Sequence, residues 1–463
     1  MSAPARGPLA ALAALLAAAA AAAGSPGAAV AAPAPFMHTC VPSAGVRLCA
    51  TTGDDQRVAS FDGTPLDVDV FLPAAGDGPF PAIAMLHGFA GSKADYGTGA
   101  PPDAGYSAAA FARRGYAVLV PTARGFGRSC GVPASRTPAC ARGYVHLADQ
   151  RYEVRDVQHL LGLLVDEGVA SPGALGATGI SYGGGTSLML ATLRDRVRLP
   201  DGSLAPWRSP AGRPLALTAA WPRWPWSDLA DALVPNGRLL EPGAGAEGYR
   251  SPVGVALESY IGALYGVAAT AGYLAPAGSD PGADLTGWKS LTDAGEPYGA
   301  RVTAVLQELH RFHGAMGVPF PAVASPLLLQ AGWTDDLFPV GQALRAYERQ
   351  RRAAPRTPLA LQVGDLGHAR AANHPRDEAS FERDGAAFFA RYLRGDRRAQ
   401  VPRVKVFTQR CPRSAPSGGG PYRARAWQDL ARGSLTLTAR RPQRVTAGGG
   451  DASLSQRLAP LAL

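Results

Sequence analysis

Hydrophobic and polar positions alternate in only one stretch near the start of the chain, Leu66-Asp67-Val68-Asp69-Val70-Phe71-Leu72, which predicts a half-buried antiparallel strand. Beyond it the pattern changes to short, mostly apolar runs at Ala82–Leu86, Tyr116–Val120, Leu175–Ile180, Leu215–Ala219, Leu327–Ala331 and Leu359–Val363. Runs of this kind suit strands covered on both faces. Helix-like segments lie between them, at Tyr106–Arg114, Asp149–Asp166, Ser181–Asp195, Gly341–Arg351 and Ser380–Leu393. Alternating strand and helix predict an α/β fold, a mainly parallel sheet with right-handed crossovers and helices on both faces. The interval Trp221–Pro319 is too long for one crossover and holds helix-like pieces around Val253–Leu264 and Ala300–His313, so an inserted helical cap is expected there. From Val401 the runs VKVF, ARAW and GSLTLTA, separated by Gly, Pro and Arg, predict a β-rich segment. The expected divisions are a leader at 1–31, a core at 32–220, a cap at 221–319, the second part of the core at 320–398 and a β segment at 399–463.

The leader changes the picture of where the chain works. One arginine, an apolar stretch from Leu9 to Ala23, the breaker Gly24-Ser25-Pro26 and the small residues Ala29-Val30-Ala31 predict a secretory signal peptide cleaved near Ala31. The apolar stretch is shorter than the ~20 residues a spanning helix needs, so no stable membrane insertion is expected. Five cysteines agree with export: Cys40 and Cys49 lie nine apart and Cys130 and Cys140 ten apart, while Cys411 stands alone. Two short disulfide loops are expected in an oxidising compartment, although four cysteines permit three connectivities.

Composition adds little to this. With 46% hydrophobic residues in 463, the chain can bury one large core or two modest ones. Its formal charge of +10 comes from scattered arginines, since lysine occurs only at Lys93, Lys289 and Lys405. A nucleic-acid partner would need a contiguous basic face, so none is expected.

Candidate chemistry starts at two matches to G-x-S-x-G, Gly179-Ile180-Ser181-Tyr182-Gly183 and Gly127-Arg128-Ser129-Cys130-Gly131, in a chain whose 56 glycines make chance matches easy. A nucleophile elbow needs a strand, a sharp turn and a helix. Ser181 has all three, whereas Ser129 is followed by prolines and reads as a loop serine. A serine hydroxyl needs a general base and the base an orienting carboxylate, in the chain order Ser, acid, His. His368 follows the last core strand directly and is preferred to His374, six residues on. Asp335, three residues after Gly332, is the expected acid; Asp336 would cap the helix starting near Val340, and Asp365 is the weaker alternative. Oxyanion donors are expected at the Tyr182 and Phe89 N–H groups. His87 is expected to be structural and His310-x-x-His313 a helix surface pair. No metal or cofactor set is read from the sequence.

With Ser181, Asp335 and His368 in place, the chain resembles the α/β-hydrolase families grouped around X-prolyl dipeptidyl peptidases and cocaine-esterase-like acyl hydrolases. The resemblance rests on Arg124-Gly125-Phe126-Gly127-Arg128-Ser129-Cys130-Gly131, on RYEVRDVQHLLGLLV, GISYGGG and GWTDDLFP, and on the Gly-His before the next helix. It implies an α/β-hydrolase fold, a structural role for Ser129, a helical cap and a C-terminal jelly roll, for which about sixty residues are too few, so that segment is expected to be partial. Besides that short segment, one feature departs from the family: a tyrosine side chain often supplies an oxyanion donor there, whereas His87-Gly88-Phe89-Ala90-Gly91 suits a backbone donor. The implied activity is that of a serine hydrolase acting on an ester or a short peptide. A dipeptidyl peptidase would need a carboxylate for a free ammonium, with Asp228, Glu241 and Glu258 as candidates; an esterase would need an apolar pocket that Trp221, Trp224 and Trp226 are placed to line. A non-catalytic binding protein of the same fold is the alternative, and the sequence does not decide the oligomeric state.

Overall fold

The computed structural model describes residues 34–97, 105–235, 254–295 and 298–431, with a few isolated positions beyond. The expected leader, much of the interval after Pro235 and most of the chain from 432 onward lie outside the described residues.

Among the described residues fifteen strands run in the order β1 (Cys40–Ser43), β2 (Val46–Ala50), β3 (Val58–Ala59), β4 (Pro65–Leu66), β5 (Val68–Pro73), β6 (Phe80–Leu86), β7 (Ala117–Pro121), β8 (Ala170–Ile180), β9 (Arg196–Arg198), β10 (Leu204–Pro206), β11 (Ala219–Arg223), β12 (Leu327–Gly332), β13 (Leu359–Gly364), β14 (Val404–Thr408) and β15 (Gly419–Ala424). Eleven of them form one sheet in the order β1-β2-β5-β7-β6-β8-β11-β12-β13-β14-β15. The strands from β7 to β14 are mutually parallel, while β5 is antiparallel to both of its neighbours. The swap of β6 and β7 around the parallel run, with an antiparallel second strand, is the strand order of the α/β-hydrolase fold. Helices α1 (Ala108–Arg113), α2 (Glu153–Asp166) and α3 (Tyr182–Leu193) connect the first half of the sheet. In the second half α8 (Val340–Ala353) and α9 (Pro375–Leu393) do so. Between β11 and β12 lie α4 (Leu229–Leu233), α5 (Glu258–Ala271), α6 (Leu285–Asp293) and α7 (Ala300–Phe312), in the interval the sequence marks as too long for a crossover.

Three expectations need correction. The alternating run at 66–72 is not half-buried: β5 is buried through Leu72. Its polar positions go inside because the Lys93 ammonium lies 2.8 Å from Asp67 and 2.6 Å from Asp69, so buried carboxylates meet a counter-charge. The strand expected at Leu215–Ala219 instead occupies Ala219–Arg223, across Pro222. Bridges to β12 fall at Ala220 and Arg223, so Pro222 owes that neighbour no donor and a proline signal that argues against a strand does not break this one. Helix α9 begins at Pro375, five residues before the expected Ser380, because proline at the first helical position gives up a donor that would have no partner there.

Residues 404–424 do form strands, and they pair into the main sheet rather than standing apart from it. The expected jelly roll falls mostly on residues outside the described ones. Disulfides join Cys40 to Cys49 across the β1/β2 register and Cys130 to Cys140 within the loops after β7; Cys411 is free and exposed. Among the described residues no helix is long and apolar enough to cross a membrane.

Candidate active site

Strand β8 ends at Ile180 and α3 begins at Tyr182, which leaves Ser181 alone to make the turn at φ 57° and ψ −110°. A non-glycine residue at positive φ is strained, and such strain concentrates where a side chain must be presented. The tightness comes from the neighbours: a β-carbon on Gly183 would lie 1.9 Å from the Leu86 carbonyl oxygen at the end of β6. Only glycine lets the first turn of α3 settle against that strand end.

The loops after β12 and β13 converge on the same point. His368 Nε2 lies 2.7 Å from Ser181 Oγ, and His368 Nδ1 lies 2.8 and 2.9 Å from the two carboxylate oxygens of Asp335. With Nδ1–H donating to Asp335, the Nε2 lone pair is left to accept from the serine hydroxyl. Asp335 is 3% exposed and its Oδ1 also accepts from the backbone N–H groups of Leu337 and Phe338, at 3.1 and 2.8 Å. A β-carbon on Gly367, whose φ is +135°, would lie 2.5 Å from Asp335 Oδ2, so glycine there lets the histidine loop close on the acid. Phe338 stands edge-on to the His368 ring at 5.1 Å and Trp224 lies 6.0 Å from it.

The rival residues are engaged elsewhere. Asp336 does not cap α8, whose N-cap is Pro339; it accepts from the Tyr260 hydroxyl at 2.5 Å and pairs with Arg370 at 2.7 Å, tying α5 to the loops that carry Asp335 and His368. Asp365 accepts from the Thr334 hydroxyl and the Ala372 N–H, and His374 donates to the Ala415 carbonyl. Ser129 is fully buried: its hydroxyl donates to the Thr122 carbonyl and accepts from the Asp67 N–H, both at 2.8 Å. Arg124, on the same loop, is buried against Asp62 and Asp156, which pins the loop to the body of the sheet.

Tyr182 and Phe89, the expected oxyanion donors, are neighbours, with ring centroids 5.4 Å apart. Tyr182 is the first residue of α3, so its N–H has no partner within the helix. His87 is buried, its Nδ1 donating to the Gly88 carbonyl at 2.6 Å and its Nε2 accepting from the Ala123 N–H at 2.9 Å; burial lowers its pKa and keeps it neutral.

The tryptophans and histidines of the inserted segment are placed otherwise than expected. Trp221 is a core residue between Tyr106 and Phe389, and Trp226 packs between Tyr182 and Phe338, so neither lines an open pocket. His310 and His313 are buried rather than on the surface: His310 pairs with Asp228 at 2.7 Å and His313 donates to the Leu147 carbonyl at 2.8 Å. Asp228, engaged with His310 and accepting from the Asp231 N–H, is therefore unavailable to a substrate ammonium. Glu258 sits half-buried in the first turn of α5, and Glu241 is outside the described residues. Donor atoms of Asp149, Glu308 and His313 lie within 4.8 Å of one another. The Arg151 guanidinium already pairs with both carboxylates of that group, which supplies the positive charge a metal would bring.

Sequence reasoning missed Glu153. Its carboxylate accepts from the His146 N–H at 2.7 Å, the Asp149 N–H at 3.1 Å and the Tyr182 hydroxyl at 3.2 Å, directly beneath the elbow. Burial pushes its pKa up to about 8. The signal was present, since Glu153 falls on the same helical stripe as Val157, Leu160, Leu161 and Leu164, and an acid in an apolar stripe is informative.

Residues 62–197 match the family model of X-Pro dipeptidyl-peptidase (S15 family). No curated protein matches the chain. Among solved structures, a CocE/NonD family hydrolase from Staphylococcus aureus is similar at 15% identity and a TM-score of 0.49, covering 83% of this chain and 56% of that one. A puromycin-hydrolyzing peptidase from Mycobacterium tuberculosis gives 17% identity, a TM-score of 0.42, and coverage of 76% and 40%. Prolyl oligopeptidase B from Galerina marginata gives 16%, 0.42, and 75% and 37%. The chain thus spans 37% to 56% of the length of these three. It has the α/β-hydrolase fold, and its segment 62–197, which carries the elbow, is similar to the X-Pro dipeptidyl-peptidase (S15) family.

Proposed function

We propose that the protein is a serine hydrolase that works outside the cytoplasm and cleaves an ester or amide bond through an acyl-enzyme. The observation that carries this reading is the 2.7 Å separation of His368 Nε2 from Ser181 Oγ, with Asp335 on the far side of the ring. Ser181 Oγ attacks the carbonyl carbon as His368 takes its proton; the tetrahedral oxyanion is held by the Tyr182 and Phe89 N–H groups. The bond to the leaving group then breaks as His368 returns the proton to it. Water attacks the acyl-enzyme by the same route and releases the acid and free Ser181. Asp335 holds the imidazole in the required tautomer and stabilises the imidazolium, and its own two backbone donors keep it oriented.

Two disulfides and the apolar N-terminal stretch support an oxidising compartment. The match of residues 62–197 favours an X-Pro dipeptidyl peptidase as the second substrate reading beside an acyl esterase. A fluorophosphonate probe applied to the protein and to its Ser181→Ala variant tests the reading. Labelling of the wild type alone is expected; an unlabelled wild type would leave a non-catalytic binding protein of this fold. Assay of X-Pro anilides against acyl esters then separates the two substrate classes.

A further inference from the structure

The helices between β11 and β12 and the core line a partly open apolar cavity of about 100 Å³, and none of the residues expected from sequence lines it, Phe89 excepted. Its core-side wall is Phe89 and Leu147; α5 contributes Ile261 and Leu264, α6 contributes Trp288, and α7 contributes Leu306. Among the described residues the lining carries no carboxylate, and its one charged group, Lys289, is paired with Asp293. A free substrate ammonium would find no carboxylate among the described lining residues, whereas an aliphatic chain would find apolar walls.

Position separates the two ends of a substrate. Phe89 carries a candidate oxyanion donor on its backbone and places its ring in the cavity wall, beside Tyr182. No residue of the loops that carry Asp335 and His368 lines the cavity. The leaving group must stand on the His368 side to receive its proton, so the group that extends into the cavity is the acyl chain.

We infer that this cavity is an acyl-binding site and that the substrate class is esters of aliphatic acids. This rests on the serine-hydrolase reading. In the reaction the Ser181 Oγ–carbon bond forms while the chain lies in the cavity. The carbon–alkoxide bond breaks, the alcohol leaves with the His368 proton, and water releases the fatty acid.

The test is a series of p-nitrophenyl esters from acetate to decanoate, kept below their critical micelle concentrations. The wild type is compared with Ile261→Trp and Leu264→Trp, which fill the cavity from half-buried positions. Burying each added methylene should raise kcat/KM about threefold until the cavity is full. Octanoate should therefore exceed acetate by at least about tenfold, and each tryptophan should remove that gain. A flat chain-length profile, or a gain that survives both tryptophans in folded protein, overturns the inference and leaves the hydrolase reading intact. So does a gain that follows the alcohol chain in a parallel series of alkyl acetates. Should both variants unfold, the wild-type acyl and alcohol series decide alone. Absence of fluorophosphonate labelling takes down both readings.

Discussion

Ser181 and Ser129 sit in the same five-residue pattern, each beyond the end of a strand of one sheet, and the fold uses them in opposite ways. The hydroxyl of Ser129 is fully buried and spends both of its hydrogen-bonding roles on backbone, joining Thr122 to Asp67. The hydroxyl of Ser181 is partly exposed and faces a histidine 2.7 Å away. One serine closes a loop; the other is lifted off the sheet and left with a base. What separates them is the next element of the chain: a helix that begins at once after Ser181, against short turns and a disulfide after Ser129. A motif of flexible small residues states what backbone shape is permitted, and the flanking elements decide what that shape presents.

The largest test of this contrast is the pair of alanine variants. Ser181→Ala should lower kcat on the best ester by on the order of 10⁴–10⁶ with the unfolding midpoint unchanged, whereas Ser129→Ala should keep kcat. Equal losses in the two variants would erase the distinction. The adjacent aspartates extend the comparison, since Asp335→Asn should cost about 10⁴ in kcat by leaving the imidazole in the wrong tautomer. Asp336→Asn, which disturbs only the Tyr260 and Arg370 contacts, should cost less than about tenfold. Steady-state kinetics on both variants would expose a reversed assignment.

Stability carries the smaller effects. Replacing Cys130 and Cys140 together by serine opens a loop of ten residues and should lower the unfolding free energy by about 2–3 kcal/mol in urea titrations. Ser129→Ala strands a buried N–H and a buried carbonyl and should cost about 1–3 kcal/mol by the same measurement. A cost near zero would mean that the loop relaxes around the missing hydroxyl. Glu153, beneath the Ser181 elbow, gives the most graded test. Its pKa is raised by burial to about 8 from an ordinary value near 4.5, so the folded state holds a proton that the unfolded state has lost. Its contribution is therefore full below about pH 4.5 and declines as pH rises to about 8, and Glu153→Gln should flatten that decline. Urea midpoints at several pH values between these limits would show parallel curves for the two proteins if Glu153 were already ionised in the fold.

The candidate site was legible in the sequence to the extent that chemistry follows chain order. Ser181 after a strand, Asp335 after the next but one and His368 after the last could be written down before any coordinates, because parallel strands bring their C-terminal ends to one edge whatever the helices between them do. Glu153 was not singled out, since a single acid on an otherwise apolar helix face gives no sign of which backbone donors will meet it. The strand at Ala219–Arg223 was displaced by its own composition, Pro222 concealing a run that the neighbouring strands hold in place.

Local pattern by itself determined the alternation of strand and helix, the elbow and the order of the three candidate residues, because these depend on periodicity and on which residues tolerate a sharp turn. Tertiary structure alone decided which serine has a base within reach, which carboxylates meet a counter-charge, and that the apolar cavity is lined from α5, α6, α7, Phe89 and Leu147 rather than by Trp221, Trp224 and Trp226. Distance, burial and enclosure are properties of residues far apart in the chain, and no window along the sequence contains them.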